Sequence, residues 1–216
     1  MEQQLLQRFK DMVLEKNRVM NLTSITDPDE FDIRHIQDSL ILNDYLPISP
    51  GMKIADLGTG AGFPGIPLAI THPDCEFHLF DSVNKKLKFI QEVVEELDLK
   101  NVRLHHGRLE DLAHLPEHRE QYDIVVSRAV APLPVLLEYM AGFSKTSGQI
   151  TCYKSQKFNQ ELEQSDKALK QLDLELLHTI DYTLGDADHV LAVFGKTKPL
   201  NKRYPRKAGT PTSQPL

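Results

Sequence analysis

The stretch Lys53-Ile54-Ala55-Asp56-Leu57-Gly58-Thr59-Gly60-Ala61-Gly62-Phe63-Pro64-Gly65 constrains this chain more than any other. It reads as a short buried strand, a glycine-rich turn and the start of a helix. Ile54, Ala55 and Leu57 supply the strand. The glycines admit backbone angles and close approaches that a Cβ would block. Pro64 falls in a first helical turn, where N–H groups are spare. Open α/β sheets bind ligands at the carboxyl ends of their strands, so a ligand can lie against this backbone.

Gly60-x-Gly62-x-x-Gly65 formally fits the dinucleotide fingerprint, a weak signal by itself. Asp56 argues against it. A carboxylate two residues before the first glycine repels a pyrophosphate and favours a ligand with a cationic amino group. S-adenosylmethionine has one, and its sulfonium is cationic too. The pattern therefore reads as a methyl-donor site formed by Asp56, Gly58, Gly60 and Gly62. A tight turn with an incidental acid is the plainer alternative. Asp81 ends the next strand, 25 residues beyond Asp56. An acid so placed binds ribose hydroxyls in dinucleotide enzymes, which supports adenosine without separating the two ligand classes.

From residue 53 to 155 strands and helices alternate, which specifies an α/β, doubly wound, Rossmann-like sheet. The expected strands are 75–81, 102–106, 122–129 and 149–154, with two more at 174–184 and 189–197 forming an antiparallel hairpin. Helices are expected over 64–72, 84–98, 133–143 and 158–172. Ahead of the sheet lies an N-terminal helical extension, residues 1–50. Its first helix, 3–18, carries Leu5, Phe9, Met12 and Val13 at helical spacing. Its second begins at Asp27-Pro28-Asp29-Glu30, a capping box, and runs to about Tyr45. Ile33, Ile36, Leu40 and Ile41 would face the core. Arg34, His35, Asp38 and Ser39 would share the other side, as a surface cluster or as the polar wall of a pocket. Residues 51–197 make the main domain, and 198–216 a basic, flexible tail.

Chemistry in such folds gathers at the strand tips. Arg128 ends the fourth strand and Lys154 the fifth; Gly107 to Asp111, after the third, could read an adenine edge through a backbone N–H and a carboxylate. The remaining signals mostly exclude. Cys75 and Cys152 read as buried free thiols of a cytoplasmic protein. Nothing resembles a signal peptide or a membrane span. His114 and His118 have helical spacing, but Pro116 lies between them; they read as loop histidines, and no metal is expected. No activating motif for an exocyclic amine follows the fourth strand, and no cysteine stands at a strand tip. An acceptor that needs no activation, such as the N7 of guanine with its in-plane lone pair, fits that set. From Lys196 onward there are six Lys or Arg and no acid, while the rest carries 19 basic against 31 acidic residues. That asymmetry reads either as a polyanion met mainly through Lys202, Arg203, Arg206 and Lys207 or as a solubilising terminus without function, and charge alone does not choose.

Several motifs together resemble the RsmG family, bacterial 16S ribosomal RNA guanine-N7 methyltransferases once called glucose-inhibited division protein B. They are Asn17-x-x-x-Asn21-Leu22-Thr23, Arg34-His35-Ile36-x-Asp38-Ser39, the glycine loop through Pro64-Gly65, Asp81-Ser82, Ser127-Arg128-Ala129 and the tail Lys202-Arg203-Tyr204-Pro205-Arg206-Lys207. The resemblance covers nearly the whole chain. It implies a class I S-adenosylmethionine-dependent methyltransferase fold, and a donor site of Gly58, Phe63, Leu109, Glu110 and Arg128 with Asp81 near the ribose. It implies that Arg34, His35, Asp38 and Lys154 line the active cleft. The substrate implied is a guanine of the decoding-region loop in small-subunit RNA (position 527 in the usual bacterial numbering). The chain would act on the small ribosomal subunit or its RNA, as a monomer. Ser155 and Ala208 depart from the family pattern, which usually has Gly and often Pro there. A small-molecule methyltransferase would leave the basic tail unused, and a ribosome-associated binding module would hold the donor without turnover.

Overall fold

The computed structural model describes residues 1–216. Seven strands, β1 Lys53–Leu57, β2 Glu76–Asp81, β3 Val102–His106, β4 Tyr122–Arg128, β5 Ser144–Ser155, β6 Leu174–Leu184 and β7 Ala187–Lys196, form one sheet. Their order is β3-β2-β1-β4-β5-β7-β6. β3, β2, β1, β4 and β5 are parallel, and β7 runs antiparallel between β5 and β6. The order reverses between β1 and β4, which opens a crevice at their carboxyl ends. Side chains alternate between two apolar cores: Ile124, Val126 and Val193 enter one, Val125, Ala192 and Phe194 the other.

The first core lies under α1 Glu2–Asn17, α5 Gly65–Thr71 and α6 Asn84–Glu96; the second lies under α7 Leu109–Leu112, α8 Leu133–Phe143, α9 Phe158–Glu163 and α10 Asp166–Leu172. The helix expected over 158–172 is thus two. Ser165 turns its hydroxyl back onto the Glu161 carbonyl (2.7 Å), a local bond that competes with the helical ladder. Phe9, Val13, Phe31 and Leu42 share the first core with Ile54 and Phe77, so residues 1–50 wall that core.

The stretch from Pro28 to Tyr45 departs most from expectation. Asp27 caps it, accepting from the N–H groups of Asp29 and Glu30. Glu30 does not complete the box; it pairs with Arg34 Nε (2.9 Å). After α2 Pro28–Phe31 comes a π-helical turn, Asp32–Gln37, and then α3 Asp38–Leu40 and α4 Leu42–Tyr45. The wider turn shifts the helical phase. Asp38 and Ser39 are thereby buried, while Ile33, Leu40 and Ile41 stay half-buried. Arg34 apart, the polar cluster is not on the surface: it faces the tips of β4 and β5.

The tail is not a flexible arm. Leu200, Tyr204 and Leu216 join the second core. Arg119 donates to the carbonyls of Tyr204 (2.9 Å), Leu200 (3.1 Å) and Asn201 (3.3 Å), and His114 Nε2 to that of Pro205 (2.8 Å). Arg206 forks onto Glu138, a wholly buried carboxylate on α8. Lys196, counted with the tail's charge, is also buried, between Glu120 and two backbone carbonyls. His114 and His118 do lie in the loop between Leu112 and Tyr122, but His118 is not exposed there. It is buried beside His78, His105 and the Tyr122 hydroxyl. The His78 and His105 rings are parallel within 2° with Nδ1 and Nε2 at 2.8 Å, so they meet edge to edge in a hydrogen bond. One ring nitrogen from each of His78, His105 and His118 lies within 4.8 Å of the others, a set that could hold a metal ion.

Candidate active site

Two cavities open at the carboxyl ends of β1 and β4, and they share a wall. One, of about 450 Å³, is lined by Gly58, Asp81, Leu109, Glu110, Tyr139 and Thr212. The other, of about 460 Å³, is lined by Asp38, Arg128, Tyr153, Lys154, Glu161 and His189. Ala129, Val130, Ala131 and Pro132, directly after β4, line both. This divider is tightly made. Ala129 has a left-handed φ of 58°, a conformation a non-glycine residue holds only when its surroundings enforce it. A Cβ on Gly58 would lie 2.4 Å from Val130 Cγ2, so the loop after β1 needs glycine to let the divider approach.

The first cavity suits S-adenosylmethionine. Asp81 fixes its floor: Oδ2 accepts from Gly60 N (3.0 Å) and Oδ1 from Val83 N (2.8 Å). Asp56 sits deeper than its sequence position suggests. It is wholly buried, and Oδ2 accepts from Gly65 N (2.9 Å). Oδ1 has no partner, and burial pushes the carboxyl up to about 6. Asp56 therefore ties the glycine loop to β1; it lines neither cavity, and Oδ1 is closed off inside the protein, so the structure does not set this carboxylate facing a ligand's amino group as its sequence position suggests. Gly62 shapes the loop away from the cavity, at φ 103° against Ile66 and Phe9. Phe63, expected at the donor, lies in the first core. Its ring stacks on His35 (centroids 4.7 Å apart) and lies 5.1 Å from the Arg128 guanidinium carbon.

Arg128 belongs to the second cavity and organises it. Nη1 donates to Asp38 Oδ2 (2.6 Å) and to the Arg34 carbonyl (3.2 Å); Nη2 donates to His35 Nδ1 (3.1 Å). Since Nδ1 accepts, the proton of neutral His35 is on Nε2, which faces the Thr23 hydroxyl (2.7 Å). Burial first, then the Arg128 charge, pull His35 down to about 4. Asn17 builds the loop that holds Thr23: its side chain accepts from the N–H groups of Leu22 and Thr23 and donates to the Thr23 carbonyl. On the far side Tyr182 donates to Asp38 Oδ1 (2.7 Å). Arg34 itself stays at the rim, paired with Glu30 and Asp186 (3.2 Å). Lys154 donates to Glu161 Oε2 (2.7 Å) and to the Ala131 carbonyl (2.9 Å), and Glu161 also accepts from Leu133 N (2.7 Å). The sequence offered no signal for Tyr182, Glu161 or the acceptor role of Thr23. The Asn17-to-Thr23 motif could have pointed to Thr23 only once the chain path was known.

Known proteins agree with this architecture. The profile of the family described as "GidB: rRNA small subunit methyltransferase G" matches residues 2–188. The chain belongs to this family. It is 44% identical over 210 residues to the ribosomal RNA small subunit methyltransferase G of Desulfitobacterium hafniense, covering 96% of this chain and 87% of that one. It is 39% identical over 220 residues to the protein of that name from Leuconostoc citreum, covering 100% and 92%. Among solved structures, a SAM-dependent methyltransferase from Aquifex aeolicus superposes with a TM-score of 0.57 at 16% identity, over 78% of this chain and 93% of that one. TrmN from Thermus thermophilus gives 0.55 at 19% identity, over 74% and 48%. These likenesses establish the class I methyltransferase fold.

Proposed function

We propose that this enzyme transfers the methyl group of S-adenosylmethionine to N7 of a guanine in the decoding-region loop of small-subunit ribosomal RNA. The observation that carries the reading is the divider Ala129–Pro132, with a donor-sized cavity on one side and, on the other, a base-sized cavity in which Arg128 and Lys154 are each paired with a carboxylate. The donor supplies an electrophilic methyl on a sulfonium; the methyl–sulfur bond breaks as the methyl–N7 bond forms, and the positive charge passes to the base. No proton leaves N7, so no side chain has to act as a base there. The chain's work is to bind and align. Asp81 and Glu110 present carboxylates to the adenosine, and the glycine loop lets it lie against the backbone. Arg128 and Lys154 hold Asp38 and Glu161 at the mouth of the acceptor side. Those carboxylates and the Ala131 carbonyl offset the charge that grows on the base. Alignment of this kind contributes about 7–11 kcal/mol in favourable cases.

The guanine must be unpaired and turned out of its stack to enter. Lys202, Arg203 and Lys207 are exposed and can meet the RNA backbone; Arg206 is spent on Glu138. No helix is long and apolar enough to cross a membrane, in keeping with work on ribosomal particles in the cytoplasm. The test is transfer of labelled methyl to small-subunit particles lacking the modification, followed by reduction and aniline cleavage. A single cut in the decoding-region loop is expected. Labelled RNA without a cut would reject N7, and no transfer to RNA in any form would reject the substrate class.

A further inference from the structure

The ordered C-terminal segment is a motif that the reaction as described leaves unused. It turns toward the donor cavity and is fastened at both ends. Arg206 holds one end through Glu138 and also donates to the Gln214 carbonyl (2.8 Å); Leu216 is buried in the second core at the other. Between them Gly209 takes a left-handed φ of 84°, and its N–H donates to Glu110 Oε1 (2.9 Å). Nothing lies within 4 Å of where its Cβ would be, so glycine is needed there for the angle. The short helix α11 Thr210–Ser213 follows. Within it the Thr212 hydroxyl meets that of Tyr139 (3.0 Å), and both residues line the donor cavity with Glu110.

We propose that residues 208–216 are a wall of the donor site: Gly209 aims the Glu110 carboxylate, and Thr212 with Tyr139 presents hydroxyls to the adenine end of the donor. This rests on the reading of that cavity as the donor site. An adenine edge offers an amine donor and ring-nitrogen acceptors. Glu110 keeps Oε2 for the amine while Oε1 is held by the tail, and a hydroxyl can donate to a ring nitrogen. A 6-oxo purine would set its carbonyl against the carboxylate and bind poorly. Binding and tail docking also favour one another, since each orders groups that the other needs.

The experiment uses two variants. A chain ending at Lys207 keeps the Arg206–Glu138 and Arg119 contacts and removes only 208–216. Thr212→Val changes an exposed side chain, so folding is not at stake. Calorimetric titration with S-adenosylmethionine should show affinity lower by about tenfold in the shortened chain and about threefold in Thr212→Val, the scale of one or two lost hydrogen bonds. In the full chain the donor should slow amide exchange at Gly209. Unchanged affinity in both variants, with weaker retention of RNA, would overturn the wall and make the segment an RNA arm. A full chain with no affinity for S-adenosylmethionine would overturn the donor-site reading itself, a result distinct from a selective loss in the variants. If the shortened chain does not fold, Thr212→Val alone decides.

Discussion

Arg128 shows how much one side chain can hold in place. It makes three hydrogen bonds at once, to Asp38, the Arg34 carbonyl and His35, and lies over the Phe63 ring. Only a planar fork reaches those acceptors together; an ammonium is a point donor. Arg128→Lys should therefore lower methyl transfer to small-subunit particles on the order of a hundredfold, as expected for one or two lost charge-assisted bonds of about 1.5–3 kcal/mol each. A rate near that of the parent would reduce Arg128 to packing. Tyr182 is the cleaner structural probe, because its hydroxyl touches Asp38 and no other group in the network. Tyr182→Phe should cost about 1.5–3 kcal/mol in urea melts; an unmoved midpoint would mean that Asp38 is satisfied without it. These two residues also mark what a sequence can disclose about a site. Arg128 and Lys154 stood out because they end strands; the spacing of His35 and Asp38 fitted a surface cluster better, and only the family resemblance put them at the cleft. Tyr182 and Glu161 gave no signal. Tyr182 meets Asp38 across 144 residues of chain, and the pairing depends on a register between β6 and β7 that no local pattern encodes.

At the scale of elements, the glycine loop is the joint on which β1 and α5 close. Gly65 N binds Asp56, and a Cβ at Gly65 would stand 2.6 Å from Asp56 Oδ2 and 2.9 Å from Leu79 Cγ, both fixed inside the protein. Gly65→Ala should destabilise the fold by about 1–3 kcal/mol, the usual cost of overpacking. It should also weaken donor binding, because the loop cannot then close on Asp56. Thermal melts with calorimetry check both; a variant as stable as the parent would show that α5 can slide to make room. The parallel strands were readable because buried strands appear as short apolar runs between turn residues, and α6 because its charged and apolar faces separate cleanly. The π-helical turn was not. Nothing in Asp32–Gln37 breaks helical propensity, and the extra residue in that turn answers to tertiary demand, since burying Asp38 beside Arg128 requires the altered phase. The tail was misread for a related reason. Its charge is visible in the sequence, while Glu138, which neutralises Arg206, hides inside an apolar helix whose pattern reads as pure core.

For the whole molecule, the titration of buried groups sets how stability responds to acid. Burial holds His35 at about 4 and His105 at about 3, and lowers His78 and His118 as well. An unfolded histidine titrates near 6.5. Below that pH the unfolded chain takes up protons that the folded protein refuses, so each of these groups withdraws stability as pH falls below about 6.5, His35 down to about 4 and His105 down to about 3. Asp56 works the other way. Its folded carboxyl, raised to about 6, keeps a proton that the unfolded chain releases down to about 4, so it adds stability as pH falls through that range. Four histidines oppose one aspartate, and the histidines prevail. Urea midpoints should be highest at pH 7 and above and should drop between pH 6.5 and 4. His105→Gln isolates the edge-to-edge pair with His78, because glutamine keeps a polar partner for His78 Nδ1 and cannot titrate. The variant should show a shallower acid slope even if its midpoint at pH 7 is lower. An identical slope would place the acid sensitivity elsewhere, in His35 and the Arg128 network, and so in the active site itself.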